Sequence, residues 1–146
     1  MSEYTDNAED YDAFKKALRL LSSEGLRGAM MVVDRELESN AESWEAWSAK
    51  ADILYFEGEY EKALCCCEES LRRHPDNALA CNTKGNILYK LGKYDEAIGC
   101  YNKAIEIEPL MAWAWYNKKM ATELQLKKAS PRVRFLSAQG SRTRKR

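Results

Sequence analysis

Residues 44–77 read WEAWSAKADILYFEGEYEKALCCCEESLRRHPDN, and residues 78–111 read ALACNTKGNILYKLGKYDEAIGCYNKAIEIEPLM. Aligned without a gap, the two stretches place like residues opposite each other at a constant offset of 34. A period of this length is typical of a chain built by stacking one helical hairpin several times. The matching pairs include Leu54 and Leu88, Tyr55 and Tyr89, Gly58 and Gly92, Tyr60 and Tyr94, Ala63 and Ala97, and Pro75 and Pro109.

Each stretch has the pattern of two helices joined by a tight turn. Gly58 and Gly92 supply turn conformations that other residues resist, and Pro75 and Pro109 end the second helix of each unit. Apolar side chains follow that second helix at helical spacing, which predicts a buried stripe. The stripe comprises Tyr60, Ala63, Leu64, Cys67 and Leu71 in the first copy, and Tyr94, Ala97, Ile98, Tyr101 and Ile105 in the second.

A single hairpin cannot bury its own apolar face, so about three must stack for stability. This requirement predicts structure on both sides of the clear repeats. We expect a degenerate hairpin at residues 10–43 and a capping helix at 112–128, in which Lys118, Lys119 and Thr122 occupy positions that are buried in a repeat. The remaining predicted segments are a disordered N-terminus at 1–9 and a basic, flexible tail at 129–146.

The paired residues resemble the tetratricopeptide repeat family. Its motif has an aromatic residue early in helix A, a small residue four positions later, a Gly-x-Tyr turn, an alanine early in helix B and a closing proline. Trp47, Ala51, Gly58, Tyr60, Ala63 and Pro75 match it in the first copy, and Gly85, Gly92, Tyr94, Ala97, Tyr101, Ala104 and Pro109 in the second. The resemblance implies an all-α fold, a right-handed superhelical stack of antiparallel helix pairs with about three repeats. It also implies a non-catalytic scaffold for protein–protein interaction.

In this family helix A of each repeat lines a concave groove that holds a peptide or a helix of a partner. Asn86 and Asn117 fall where one branch of the family uses asparagines to grip a peptide backbone. The basic residues with which that branch clamps a terminal carboxylate have no match here. Asn82 and Asn86 stand at those sites in one frame, and Ser48 and Asp52 in a frame that starts one repeat earlier. The positions carried over to this chain are Glu45, Ser48, Asp52, Tyr55 and Phe56, then Leu79, Asn82, Asn86, Tyr89 and Lys90, and last Trp113, Tyr116, Asn117 and Met120. An alternative for Trp113 is internal packing.

The sequence has none of the usual marks of an enzyme, a cofactor site or a metal site. Cys65, Cys66 and Cys67 are consecutive, so on a helix they point about 100° apart and cannot converge on one tetrahedral ion. His74 is the one histidine and has no matched nucleophile. No glycine-rich phosphate loop, nucleophile elbow or metalloprotease helix is present.

The net charge of zero hides a strong asymmetry. Residues 1–70 have 17 acidic and 7 basic side chains, whereas residues 71–146 have 6 acidic and 16 basic ones. Two alternative functions follow from this asymmetry. One is salt-sensitive self-association of a protein otherwise expected to be a monomer. The other is nucleic-acid association through basic tail residues that would neutralise phosphates, namely Arg132, Arg134, Arg142, Arg144, Lys145 and Arg146.

A polar N-terminus without an apolar run favours a cytoplasmic protein, and no stretch approaches the length of a membrane span.

Overall fold

The structure, a computed structural model, describes residues 23–129 and contains six α-helices and no strand within them. The all-α stack of helix pairs predicted from the period is confirmed. The helices are α1 (Ser23–Ser39), α2 (Trp44–Phe56), α3 (Tyr60–Arg73), α4 (Ala78–Lys90), α5 (Tyr94–Ile107) and α6 (Ala112–Lys128). The predicted disordered N-terminus at 1–9, residues 10–22 of the predicted hairpin and residues 130–146 of the basic tail lie outside the described residues.

The first helix of each clear repeat starts at a side-chain cap. The Ser43 hydroxyl accepts a hydrogen bond from the backbone N–H of Ala46, and the Asn77 side chain accepts one from Ala80. These caps satisfy backbone donors that a helix start leaves without a partner. They fix where α2 and α4 begin, and so they set the register of the side chains along both helices.

The predicted glycine turns are confirmed. Gly58 and Gly92 have φ angles of 79° and 77°, a left-handed conformation that side-chain-bearing residues rarely adopt. In the second turn the Gly92 N–H donates to the Tyr89 carbonyl and the Lys93 N–H to the Leu88 carbonyl, at 3.0 and 2.9 Å. This pattern closes the carbonyl end of the helix and reverses the chain within three residues.

Helices that follow each other along the chain pack side by side, from α1 to α6. In addition, α2 contacts α4 and α4 contacts α6. The first helices of successive hairpins therefore form a row of their own. Their shared face carries the side chains considered below.

Small residues allow the close packing of α4 on α5. An added Cβ at Gly85 would lie 2.5 Å from Cε1 of Tyr101, well inside van der Waals contact. Tyr101 is almost fully buried there. In the preceding hairpin the corresponding pair is Ala51 and Cys67, which are also buried.

Candidate functional site

Two adjoining cavities open along the row formed by α2, α4 and α6, and we refer to them together as the groove. The first, the tyrosine pocket, has a volume of about 260 Å³ and is lined by Tyr55, Asn86, Tyr89, Lys90, Tyr101, Tyr116, Asn117 and Met120. The second, the Asp52 pocket, has a volume of about 480 Å³ and is lined by Asp52, Tyr55, Phe56, Leu79, Asn82, Thr83, Asn86, Trp113 and Asn117. Because Tyr55, Asn86 and Asn117 line both, the two pockets lie side by side on one face.

The structure brings most of the residues predicted for the groove together in these two pockets. Glu45 and Ser48 line neither of them. Glu45 lines a different hollow beside α1, together with Val32 and Glu36, and its carboxylate accepts a hydrogen bond from the Ser43 hydroxyl. The acidic character of the groove therefore rests on Asp52. The predicted residues that do line the pockets are Asp52, Tyr55, Phe56, Leu79, Asn82, Asn86, Tyr89, Lys90, Trp113, Tyr116, Asn117 and Met120.

Three asparagines form a hydrogen-bonded cluster at the centre of the groove. The amide nitrogen of Asn117 donates to the Oδ1 atoms of Asn86 and Asn82, at 3.1 and 3.3 Å. The Tyr101 hydroxyl also donates to Oδ1 of Asn86, at 2.8 Å. Within residues 23–129 no hydrogen bond uses the side-chain nitrogen of Asn86 or the side-chain oxygen of Asn117. A donor and an acceptor from adjacent helices thus remain for a ligand.

Asp52 is a half-buried carboxyl group in the same groove. Burial raises the pKa of Asp52 to about 6, and a hydrogen bond from the Thr83 side chain lowers it by a smaller amount. No ion pair within the described residues includes Asp52. At neutral pH the carboxylate is therefore negatively charged, with one neutral donor to stabilise it.

Large apolar side chains surround the Asp52 pocket and remain open to solvent. Trp113 is 61% exposed and Phe56 is 57% exposed, and Leu79 is similarly open. Trp113 lines this pocket and is not packed among the other described residues; the alternative of packing against the tail falls on residues outside the described range. Tyr55 contacts Phe56 edge to face, with ring centroids 5.6 Å apart, so the two rings support each other.

Thr83 and Tyr101 are the lining residues that the sequence analysis did not assign to the groove. Thr83 precedes Asn117 by 34 residues, so extending the period backwards from Asn117 would have found it. Tyr101 belongs to a second helix, whose side chains the family pattern assigns to the core. Its hydroxyl nevertheless reaches the groove because Gly85 leaves room for the ring.

The groups gathered in the groove are suited to holding a ligand. They comprise amides, phenols, apolar side chains, the Asp52 carboxylate and the Lys90 ammonium group, which supply hydrogen bonds, charge and contact area. Burial raises the pKa of Tyr55 and of Tyr101, so both phenols stay protonated at neutral pH. Residues 23–129 hold no group of three His, Cys, Asp or Glu side chains placed to bind a metal. None of the helices described here is long and apolar enough to cross a membrane.

Comparison with known proteins points to one fold. The model of the tetratricopeptide repeat family matches residues 78–109. No curated protein matches the sequence. Among the 119 solved chains that match is the first tetratricopeptide domain of Spaghetti (RPAP3), bound to the HSP90 peptide SRMEEVD. It is 14% identical, with a TM-score of 0.69, and the match covers 76% of this chain and 88% of that one.

Proposed function

We propose that the chain, which has the fold of a tetratricopeptide domain and matches that family's model over residues 78–109, is a non-catalytic scaffold that holds a peptide or a helix of a partner protein in the groove. The observation that carries this proposal is the convergence of three helices on one open face. Residues one period apart, such as Asn86 on α4 and Asp52 on α2, meet there beside Asn117 of α6. Repetition at this spacing matches a ligand that extends along the row of helices.

The polar centre of the groove supports binding of a peptide backbone. The side-chain nitrogen of Asn86 can donate to a peptide carbonyl, and the side-chain oxygen of Asn117 can accept from a peptide N–H. Both side chains are held in place by their mutual hydrogen bond of 3.1 Å, so little conformational entropy is lost when the ligand binds.

The rim of the groove supports an apolar anchor residue in the ligand. Trp113, Phe56 and Leu79 present exposed apolar surface around one cavity. Exposed aromatic side chains of this kind often dominate the binding free energy of an interface. We therefore propose a ligand with an apolar anchor and some basic character. The acidic peptide in the Spaghetti complex is a poor model for it, because Asp52 would repel carboxylates.

The proposal can be tested by selecting ligands from a phage-displayed library of random twelve-residue peptides against the full chain. Affinities of the selected synthetic peptides are then measured by isothermal titration calorimetry with wild type, Trp113→Ala and Asn86→Ala. We expect each substitution to weaken binding by about tenfold or more, as truncation of a central anchor does. Circular dichroism melting curves establish that each variant is folded.

Trp115→Ala is the matched control, since Trp115 lies on the same helix, is 51% exposed and lines no part of the groove. Its loss should leave affinity within about twofold of wild type, because truncation outside the contact area is close to neutral. Unchanged affinity in both Trp113→Ala and Asn86→Ala would exclude the groove as the binding surface.

A further inference from the structure

Building on the peptide-binding function proposed above, we infer that the Asp52 pocket receives a basic side chain of the partner, and arginine in preference to lysine. The pocket has a net negative charge. Of its nine lining residues, all within the described range, Asp52 alone is charged. Charge complementarity therefore calls for a cation in this pocket.

Asp52 differs from the acidic residues that serve the stack itself. Asp34 pairs with Lys50 at 2.7 Å and Glu68 with Lys84 at 3.4 Å, each between neighbouring helices. Asp52 lies in a cavity, and its partner is the neutral Thr83 side chain. A half-buried carboxylate that lacks an ionic partner is costly to the fold, so a cation brought by a ligand would recover free energy that the free protein lacks.

Aromatic rings from two helices line the same cavity as this carboxylate. Tyr55 and Phe56 follow Asp52 by three and four residues on α2, which places them on the same helical face. Trp113 enters from α6 and lines the same cavity. Rings beside a carboxylate suit a cationic group, because the ring faces attract positive charge while the carboxylate accepts its hydrogen bonds.

The pocket distinguishes between classes of side chain. An apolar side chain can rest on the exposed rim, but placed next to the Asp52 carboxylate it would bury that group further without compensating its charge. An acidic side chain there would add repulsion. The planar guanidinium of arginine can stack on a ring and donate two hydrogen bonds to a carboxylate at once. The ammonium of lysine is more strongly hydrated and cannot do both in one plane. A cavity of about 480 Å³ has room for either side chain.

The test uses the same twelve-residue phage library, panned in parallel against wild type, Asp52→Asn and Glu45→Gln. We expect an arginine at one fixed position of the peptides selected by wild type. In a synthetic copy of the best peptide, replacing that arginine with the neutral isostere citrulline should weaken binding about tenfold, and replacing it with lysine should weaken it several-fold. Asp52→Asn should bind the arginine and citrulline peptides within about twofold of each other.

Glu45→Gln is the matched control, because Glu45 is an acidic residue of the same helix that lies outside the pocket. It should retain the full preference for arginine. Peptides that need Trp113 and Asn86 but carry no basic residue would overturn this inference and leave the proposed function standing. A selection that yields no groove-dependent peptide would overturn both. Equal affinity for the lysine peptide would refute the preference for arginine.

Discussion

The α2–α3 hairpin and the α4–α5 hairpin have the same helix lengths, 13 and 14 residues. They differ in the sizes of the two side chains that meet at the equivalent buried position. The first places Cys67 on α3 beside Ala51 on α2. The second places the much larger Tyr101 on α5 beside Gly85 on α4, where a Cβ atom would touch the ring. A gain in volume on one helix is matched by a loss on the other, as close packing requires.

This exchange in the core changes the groove. The Tyr101 hydroxyl reaches Asn86 and donates to it, whereas the Cys67 thiol donates to the Ala80 carbonyl at 3.3 Å and gives nothing to Asp52. Asn86 and Asp52 are one period apart. In the α4–α5 hairpin this groove position is the neutral Asn86, which accepts two hydrogen bonds. In the α2–α3 hairpin it is the charged Asp52, which accepts one from Thr83. Under the proposed function, the α4–α5 repeat therefore orients the ligand backbone, and the α2–α3 repeat recognises the charge of the ligand.

The stability of the chain should change most when the second hairpin is given the alanine that the first has at Ala51. Gly85→Ala should lower the free energy of unfolding by about 3 kcal/mol, because the new methyl group overlaps the Tyr101 ring. Chemical denaturation monitored by circular dichroism measures it. Gly99→Ala on α5 is the control. Its Cβ would meet nothing within 4 Å, so it should stabilise the helix by about 0.5–1 kcal/mol.

The double variant Gly85→Ala with Tyr101→Cys copies the first hairpin into the second. The alanine should be tolerated once the ring is gone, so the double variant should be more stable than the sum of the two single changes predicts. Simple additivity would contradict the packing exchange described above.

A smaller change in stability is expected when Asp52 is replaced by asparagine, the neutral residue that the second hairpin has at Asn86. The pKa of Asp52, raised by burial to about 6 in the folded chain, means that the folded state binds this proton more tightly than the unfolded state. The protonated Asp52 carboxyl group therefore stabilises the folded state fully below about pH 4, and this contribution is lost as the pH rises through 6. Asp52→Asn should raise the free energy of unfolding by about 2 kcal/mol near pH 8 and by little near pH 4.

Two neighbouring groups bear on this titration, and neither supplies a charge. Thr83 of α4 donates a neutral hydrogen bond to Asp52. Cys67 of α3 faces it with a thiol that stays protonated, because burial raises the pKa of Cys67 to about 12. Urea denaturation of wild type and variant across this pH range measures the effect. A stability difference that does not vary with pH would contradict the assigned cause.

The smallest effect concerns the hydroxyl that distinguishes the second hairpin. Tyr101→Phe keeps the ring but removes the hydrogen bond to Asn86, so the free energy of unfolding should fall by about 1 kcal/mol. Tyr94→Phe is the matched control, because the hydroxyl of Tyr94 makes no hydrogen bond within residues 23–129, and it should be nearly neutral. Equal losses in the two variants, measured by thermal unfolding, would show that the hydroxyl of Tyr101 has no special role.

The sequence predicted the fold through features that act locally. The 34-residue period predicted the helix pairs, and Gly58 and Gly92 predicted the turns because only glycine adopts their φ angles without strain. The groove positions on α4 and α6 were carried over from the family that the repeats resemble. The presence of a ligand in the groove stays a prediction.

The remaining features depend on contacts between helices, which spacing alone does not specify. Glu45 was carried over to the groove from the family pattern, but at the start of α2 it lines a hollow beside α1. The role of Tyr101 depends on a ring crossing over Gly85. The available signal was Gly85 itself, a glycine in the middle of a helix where the preceding repeat has Ala51. Such a glycine indicates that a large side chain packs close to the helix.

We propose that the face shared by α2, α4 and α6 binds a partner peptide. Two-dimensional ¹⁵N–¹H NMR of the labelled chain, titrated with a peptide from the phage selection, tests it most directly. We predict that the side-chain amides of Asn86 and Asn117 and the indole N–H of Trp113 shift on binding, while the indole N–H of Trp115 does not. Shifts confined to Trp115 or to α1 would contradict the account.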